Sequence, residues 1–78
     1  MIQASQIREH MEVEGSDGGH VGRVDKVMGE EIELTKLDIS SGLKHHLIPL
    51  SWVDMIEDDT VRLNMTKDAA RAAWREKH

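Results

Sequence analysis

Residues 15–24 read GSDGGHVGRV, four glycines within eight positions and then valines. Such a stretch is either a loop that cradles a phosphate or a tight turn between two strands. A phosphate cradle leads into a helix N-terminus, where free amides and the helix dipole converge on the anion. Here the glycines run into HVGRVDKV, β-branched residues at strand spacing, and no lysine stands where a P-loop needs one. The stretch therefore predicts a β-hairpin, with Asp17-Gly18 and Gly19 supplying the positive φ angles of a tight turn.

Working outward, short apolar clusters recur with turn residues between them, which predicts a small all-β barrel or sandwich rather than alternating strands and helices. Strands are expected near 11–14, 20–28, 31–36, 45–50, 53–57 and 60–64. In EIELT (31–35), Ile32 and Leu34 alternate with Glu31, Glu33 and Thr35, so the acidic residues are expected to face water. TVRLN (60–64) repeats the period, and Glu57-Asp58-Asp59 reads as the turn of a hairpin. Val21, Val24 and Val27 are spaced by three and cannot share one face of a regular strand. A bulge at Gly22 reconciles Val21 with Val24 and leaves Val27 without an account. Pro49 lacks an amide hydrogen, so its strand is expected to end there or lie at an edge, with Trp52 beside the open seam. The expected core is Val13, Val21, Val24, Ile32, Leu34, Ile48, Val53, Ile56, Val61 and Leu63.

The period changes in TKDAARAAWREKH (66–78), where Ala70, Ala73 and Trp74 fall on one helical face, Thr66 is placed to cap, and Asp68 opposes the helix dipole. Upstream, Ser5 is expected to cap one turn, with Ile2 and Ile7 plugging the barrel. KLDISSGLK (36–44) is a mobile-loop candidate. The chain of 78 residues is expected to form one domain, a barrel with its N-terminal turn over 1–64 and a C-terminal helix over 65–78. A core without Phe or Tyr is thin, with a net stability on the order of 3–5 kcal/mol.

Charge is divided: residues 1–65 sum to −7 and residues 66–78 to +2. An acidic body repels phosphate backbones and anionic headgroups, so neither nucleic acid nor a membrane is the expected partner. No cysteine is present, which excludes disulfides, thiolate metal sites and thiol nucleophiles. With no basic leader and no apolar run of about 20 residues, the expected location is the cytoplasm.

His45 and His46 look like a ligand pair, yet adjacent strand residues point to opposite faces and cannot both grip one metal. No metal site, and no cofactor, is therefore expected. Glu30-Glu31-Glu33 and Glu57-Asp58-Asp59 match no calcium loop and read as solvated turns. Ser5, Ser16, Ser40, Ser41 and Ser51 have no nucleophile-elbow context, and the chain is expected not to be an enzyme. On the tail, Lys67, Arg71 and Arg75 recur every four residues beside the apolar face. These residues, with Trp52 and Trp74, are the candidate interaction surface, either packed on the chain's own acidic body or turned toward a partner.

Taken in order, GSDGGHVGRVDKV (15–27), EEIELTK (30–36) and HHLIPLSWVDMIEDDTVRL (45–63) resemble the PRC-barrel superfamily, and more narrowly the small bacterial family DUF2171 of unknown function. The likeness runs from Ile7 to Trp74. It implies a small antiparallel β-barrel with a short C-terminal α-helix. The superfamily includes the cytoplasmic domain of the photosynthetic reaction-centre H subunit and the C-terminal domain of a ribosome-maturation factor, so the resemblance implies a binding module and supplies no catalytic residue. The expected function is a non-catalytic interaction or adaptor module for a protein partner, a second copy included. The alternative is a small-ligand or metal sensor using His45, His46 and His20.

Overall fold

The computed structural model describes residues 3–35 and 45–76. Its elements, in chain order, are strands β1 (Glu12–Glu14), β2 (His20–Met28), β3 (Glu31–Leu34), β4 (His46–Pro49), β5 (Val53–Glu57) and β6 (Thr60–Leu63), helix α1 (Lys67–Ala73) and strand β7 (Arg75–Glu76). Short 3-10 turns occupy Ala4–Gln6 and Leu50–Trp52. The fold is mainly β with one helix near the C-terminus. Ile2 and the 36–44 loop candidate lie outside the described residues.

The strands form one seven-stranded sheet in the order β5-β6-β1-β2-β3-β4-β7. Pairing is antiparallel except between β1 and β6, which run parallel in the register Val13↔Val61. That is a correction to the all-antiparallel expectation. Among the described residues no ladder joins the two ends of the sheet, so the hydrogen-bonded barrel expected from sequence is an open sheet here. The sheet is nonetheless curled. Laid flat, β4 and β5 would stand five strand spacings apart, about 24 Å. Only Leu50–Trp52 connect them, and the four Cα steps from Pro49 to Val53 reach at most about 15 Å. β4 ends at Pro49, as its missing amide requires, and β7 pairs only with His46 and Leu47, leaving Pro49 at an edge.

Two bulges in β2 make its valines converge. Val13 pairs with Gly22 and Glu14 with His20, so Val21 is an extra residue. Val24 pairs with Leu34 and Lys26 with Glu33, so Asp25 is a second one. The first bulge falls at Val21 rather than at Gly22; Gly22 instead packs closely on Leu34. The second restores Val27, paired with Ile32, to the face that carries Val24. The resulting core contains every expected residue, with Ile56 partly buried, and adds Ile7, Met11 and Ala70.

The hairpins follow turn chemistry. Gly29 takes φ +60° at the first central position between Met28 and Glu31. Asp58 and Asp59, at φ 49° and 61°, form the two-residue turn between Glu57 and Thr60. In the β1–β2 turn only Gly18 has a positive φ, +82°, so Gly19 does not take the role expected of it. The first turn of the chain begins from Gln3, not Ser5.

The helix departs most from expectation. Thr66 Oγ1 accepts the Ala69 amide at 3.2 Å and Asp68 sits in the first turn, as predicted. However, α1 stops at Ala73 instead of running to 78, because Trp74 is already extended at ψ 158° and Arg75–Glu76 pair with β4. No helix among the described residues is long and apolar enough to cross a membrane.

Candidate functional site

The glycine turn is consumed by the fold. The amides of Gly15 and Gly18 donate to the carbonyls of Gly19 and Gly15, at 2.8 and 3.0 Å, and Ser16 donates to Met65 at 2.8 Å. Gly19 donates to Asp17 Oδ1, which also accepts the Lys67 amide, each at 3.2 Å. These two bonds, the Gly19 amide foremost, hold the Asp17 carboxyl below its ordinary value. Four amides that a phosphate would need are thus engaged within the chain. The turn is a cradle for the start of α1, so close that a Cβ on Gly15 would lie 2.3 Å from the Lys67 nitrogen.

The expected interaction residues divide among internal roles. Trp74 stacks on the buried His46 ring, centroids 3.8 Å apart and planes within 15°. Arg71 lies 5.2 Å over the Trp74 ring, and its Nη2 donates to the carbonyls of His20 and Val21 at 3.4 and 3.1 Å, at the first bulge. Arg75, on β7 rather than on the helix, pairs with Glu31. Lys67 covers Gly19. Trp52 packs against the core at the β4–β5 link, where its carbonyl accepts the Asn64 amide at 2.8 Å. The structure brings Arg71 and Trp74 together, and the basic stripe closes onto its own chain.

The histidines separate as strand geometry requires. His46 faces Trp74, His45 turns to the opposite side, and His20 pairs with Glu12 at 3.2 Å. The trio of the alternative reading, His20, His45 and His46, is therefore not assembled. A different one is. His45 Nδ1 stands 3.3 Å from Glu33 Oε2, 3.9 Å from Asp25 Oδ2 and 2.9 Å from the Leu34 carbonyl. The ligand-type atoms of Asp25, Glu33 and His45 all lie within 4.8 Å of one another. Glu33, weighed from the sequence only as part of a solvated acidic turn, is 2% exposed, and Asp25 was passed over altogether. The signal available was Val24 and Val27 at a spacing of three, which marks the bulge that delivers Asp25.

At the other end of the sheet, a shallow groove is lined by Glu14, Met55, Glu57, Asp58, Thr60 and Arg62. Arg62 grips Glu14 Oε1 through Nε and Nη2 at 3.0 and 2.7 Å, a pairing that raises the guanidinium further above its already high value. Met55, 39% exposed, stands beside exposed Asp54. Arg8 pairs with Asp59 near the hairpin turn.

Among curated proteins the chain has no match. A family model described as "Uncharacterized protein conserved in bacteria (DUF2171)" matches residues 7–71, a span that takes in the glycine turn, both bulges, every strand from β1 to β6 and the start of α1. That span is most of the chain, and the chain belongs to the DUF2171 family.

Proposed function

We propose that the chain is a non-catalytic protein-interaction module that receives an extended, cationic polypeptide segment along the open edge of β5. The observation that carries this reading is the position of β5. It ends the sheet order, pairs with β6 alone among the described residues, and bears exposed Asp54 and Glu57, the Asp58-Asp59 turn and exposed Met55. An edge strand offers main-chain donors and acceptors to an added strand, and its side chains select the partner.

Charge chooses among occupants. A second copy would set Asp54 and Glu57 against their own kind, which opposes β5-to-β5 self-association. A lysine-bearing strand turns that repulsion into attraction, in keeping with the −7 carried by residues 1–65. The curled sheet, its ends drawn toward each other by Leu50–Trp52, also supports reading the module as a PRC-barrel left open at its seam, where the added strand would lie. The test uses peptides alternating Val with Lys or Val with Glu, titrated at low salt into the labelled protein. The Val-Lys peptide should shift the amides of 53–57, with the effect lost in the Asp54→Lys/Glu57→Lys variant. An equal response to the Val-Glu peptide, or shifts confined to other strands, would overturn the reading.

A further inference from the structure

The Asp25, Glu33 and His45 constellation lies in the β2–β4 half of the sheet, away from β5 in the strand order, and is independent of the proposed docking edge. We infer that these three side chains form a binding site for a divalent transition-metal ion of the zinc class.

Three local causes assemble the site. Glu33 sits on β3 opposite Lys26, on the face away from Ile32 and Leu34. Asp25 is the bulged residue between Val24 and Lys26, so it stands beside Glu33 with no ladder partner across from it. The β3–β4 register, Leu34↔His46, sets His45 at the mouth of the same ladder, where its ring reaches back to the Leu34 carbonyl. Bulges that re-aim a side chain are a recurrent device beside functional sites.

The separations fit a tetrahedral ion. Ligands bonded to zinc at about 2.1 Å stand about 3.4 Å from one another. The His45–Glu33 separation is 3.3 Å, the His45–Asp25 separation 3.9 Å, and all three ligand atoms lie within 4.8 Å of one another, so closure asks the half-exposed aspartate to move inward by at most about 1.4 Å, within reach of a side-chain rotation. One imidazole nitrogen with two carboxylates suits zinc and its neighbours in the first transition row better than calcium or magnesium, which favour all-oxygen shells. Glu33, nearly buried, holds its oxygen at a fixed place. Three protein ligands leave a fourth position for solvent or a partner's group. In the metal-free chain Nδ1 is 2.9 Å from the Leu34 carbonyl. Binding through Nδ1 breaks that hydrogen bond, and its proton passes by way of solvent to Nε2, so that the ring binds as the other neutral tautomer while the metal–nitrogen bond forms.

The experiment is calorimetric titration of zinc chloride into protein purified without a histidine tag, with histidine ring shifts followed in parallel. The expected result is one ion per chain, a shift of the His45 ring, and no change when His20→Ala removes a carboxylate-paired histidine elsewhere in the sheet. Asp25→Asn, at a half-exposed position that tolerates change, and His45→Ala should each weaken binding by more than the roughly 10–100-fold that loss of an outer-shell partner costs. Glu33→Gln serves as a third variant wherever it folds. Absence of zinc uptake by the folded wild type, or uptake unchanged by both Asp25→Asn and His45→Ala, would overturn the assignment.

Discussion

Gly15→Ala is the most direct probe of how the glycine turn and α1 depend on each other. An added Cβ would meet the Lys67 nitrogen at 2.3 Å and the Thr66 carbonyl carbon at 2.7 Å. Both obstacles are backbone, so no side-chain rotation relieves them. To reach even 3.0 Å the turn and the helix start must separate by about 0.7 Å, and by more than 1 Å for ordinary contact. That movement pulls on Ser16 N to Met65 O, at 2.8 Å, and on Lys67 N to Asp17 Oδ1, at 3.2 Å. Overpacking costs about 1–3 kcal/mol and each weakened hydrogen bond about 1 kcal/mol. Loss of unfolded-chain freedom returns about 0.4–1 kcal/mol. The expected net cost is about 3 kcal/mol, most of the stability of a domain this small.

Gly18→Ala is the internal control. Nothing lies within 4 Å of its added Cβ, and its cost comes from φ +82° alone, about 1–2 kcal/mol less the same unfolded-state gain. Urea melts followed by circular dichroism measure both variants, and amide shifts at Asp17 and Lys67 report the contact. Gly15→Ala should melt well below Gly18→Ala and move the Lys67 amide. A Gly15→Ala variant as stable as Gly18→Ala would refute the view that the turn serves as the seat of the helix.

The remaining predictions concern single contacts. Trp74→Ala removes the stack on His46 and the Arg71 contact, together with the burial of part of an indole, and should cost about 3 kcal/mol in a urea melt with no change in sedimentation mass. Ile48→Ala, at a fully buried position opposite Ile32, should cost about 2–5 kcal/mol by the same measurement. Asp17 has a folded-state pKa below 3.8, so its contribution is present above that value and is lost as pH falls through the folded pKa. Asp17→Asn should therefore flatten the acid limb of a stability profile below about pH 4 while leaving its shape near neutrality; an acid limb identical to the wild type would show that the two amide bonds do not act on folding.

What was legible in the sequence is what depends on neighbours along the chain. Alternation in EIELT, the acidic residues at 57–59 and the glycines at 15–19 placed β1 to β6 within a residue or two, because period and turn chemistry are local. The length of α1 was not legible. Ala70, Ala73 and Trp74 share a helical face, but the indole finds a better surface on His46 once the chain turns extended, and the next two residues then pair with β4. The parallel β1–β6 pair was also hidden, since nothing near residue 12 says that residue 60 runs beside it.

The histidine pair shows where local reasoning stops. That adjacent strand residues face opposite ways follows from backbone geometry, and it correctly separates His45 from His46. The same rule places Glu33 in solvent, and there it fails, because burial depends on what stands across the ladder rather than on alternation. What stands beside Glu33 is set by a bulge at Asp25 and by a β3–β4 register that brings His45 to the same spot across more than ten intervening residues. A bulge is expensive to place without reason, since it leaves one residue unpaired in the ladder. Val27 supplies one reason, as the extra residue returns it to the core. The other is Asp25 itself, whose carboxylate the bulge delivers to a histidine and a buried glutamate, so that one irregularity in β2 serves both the packing of the core and the assembly of the site.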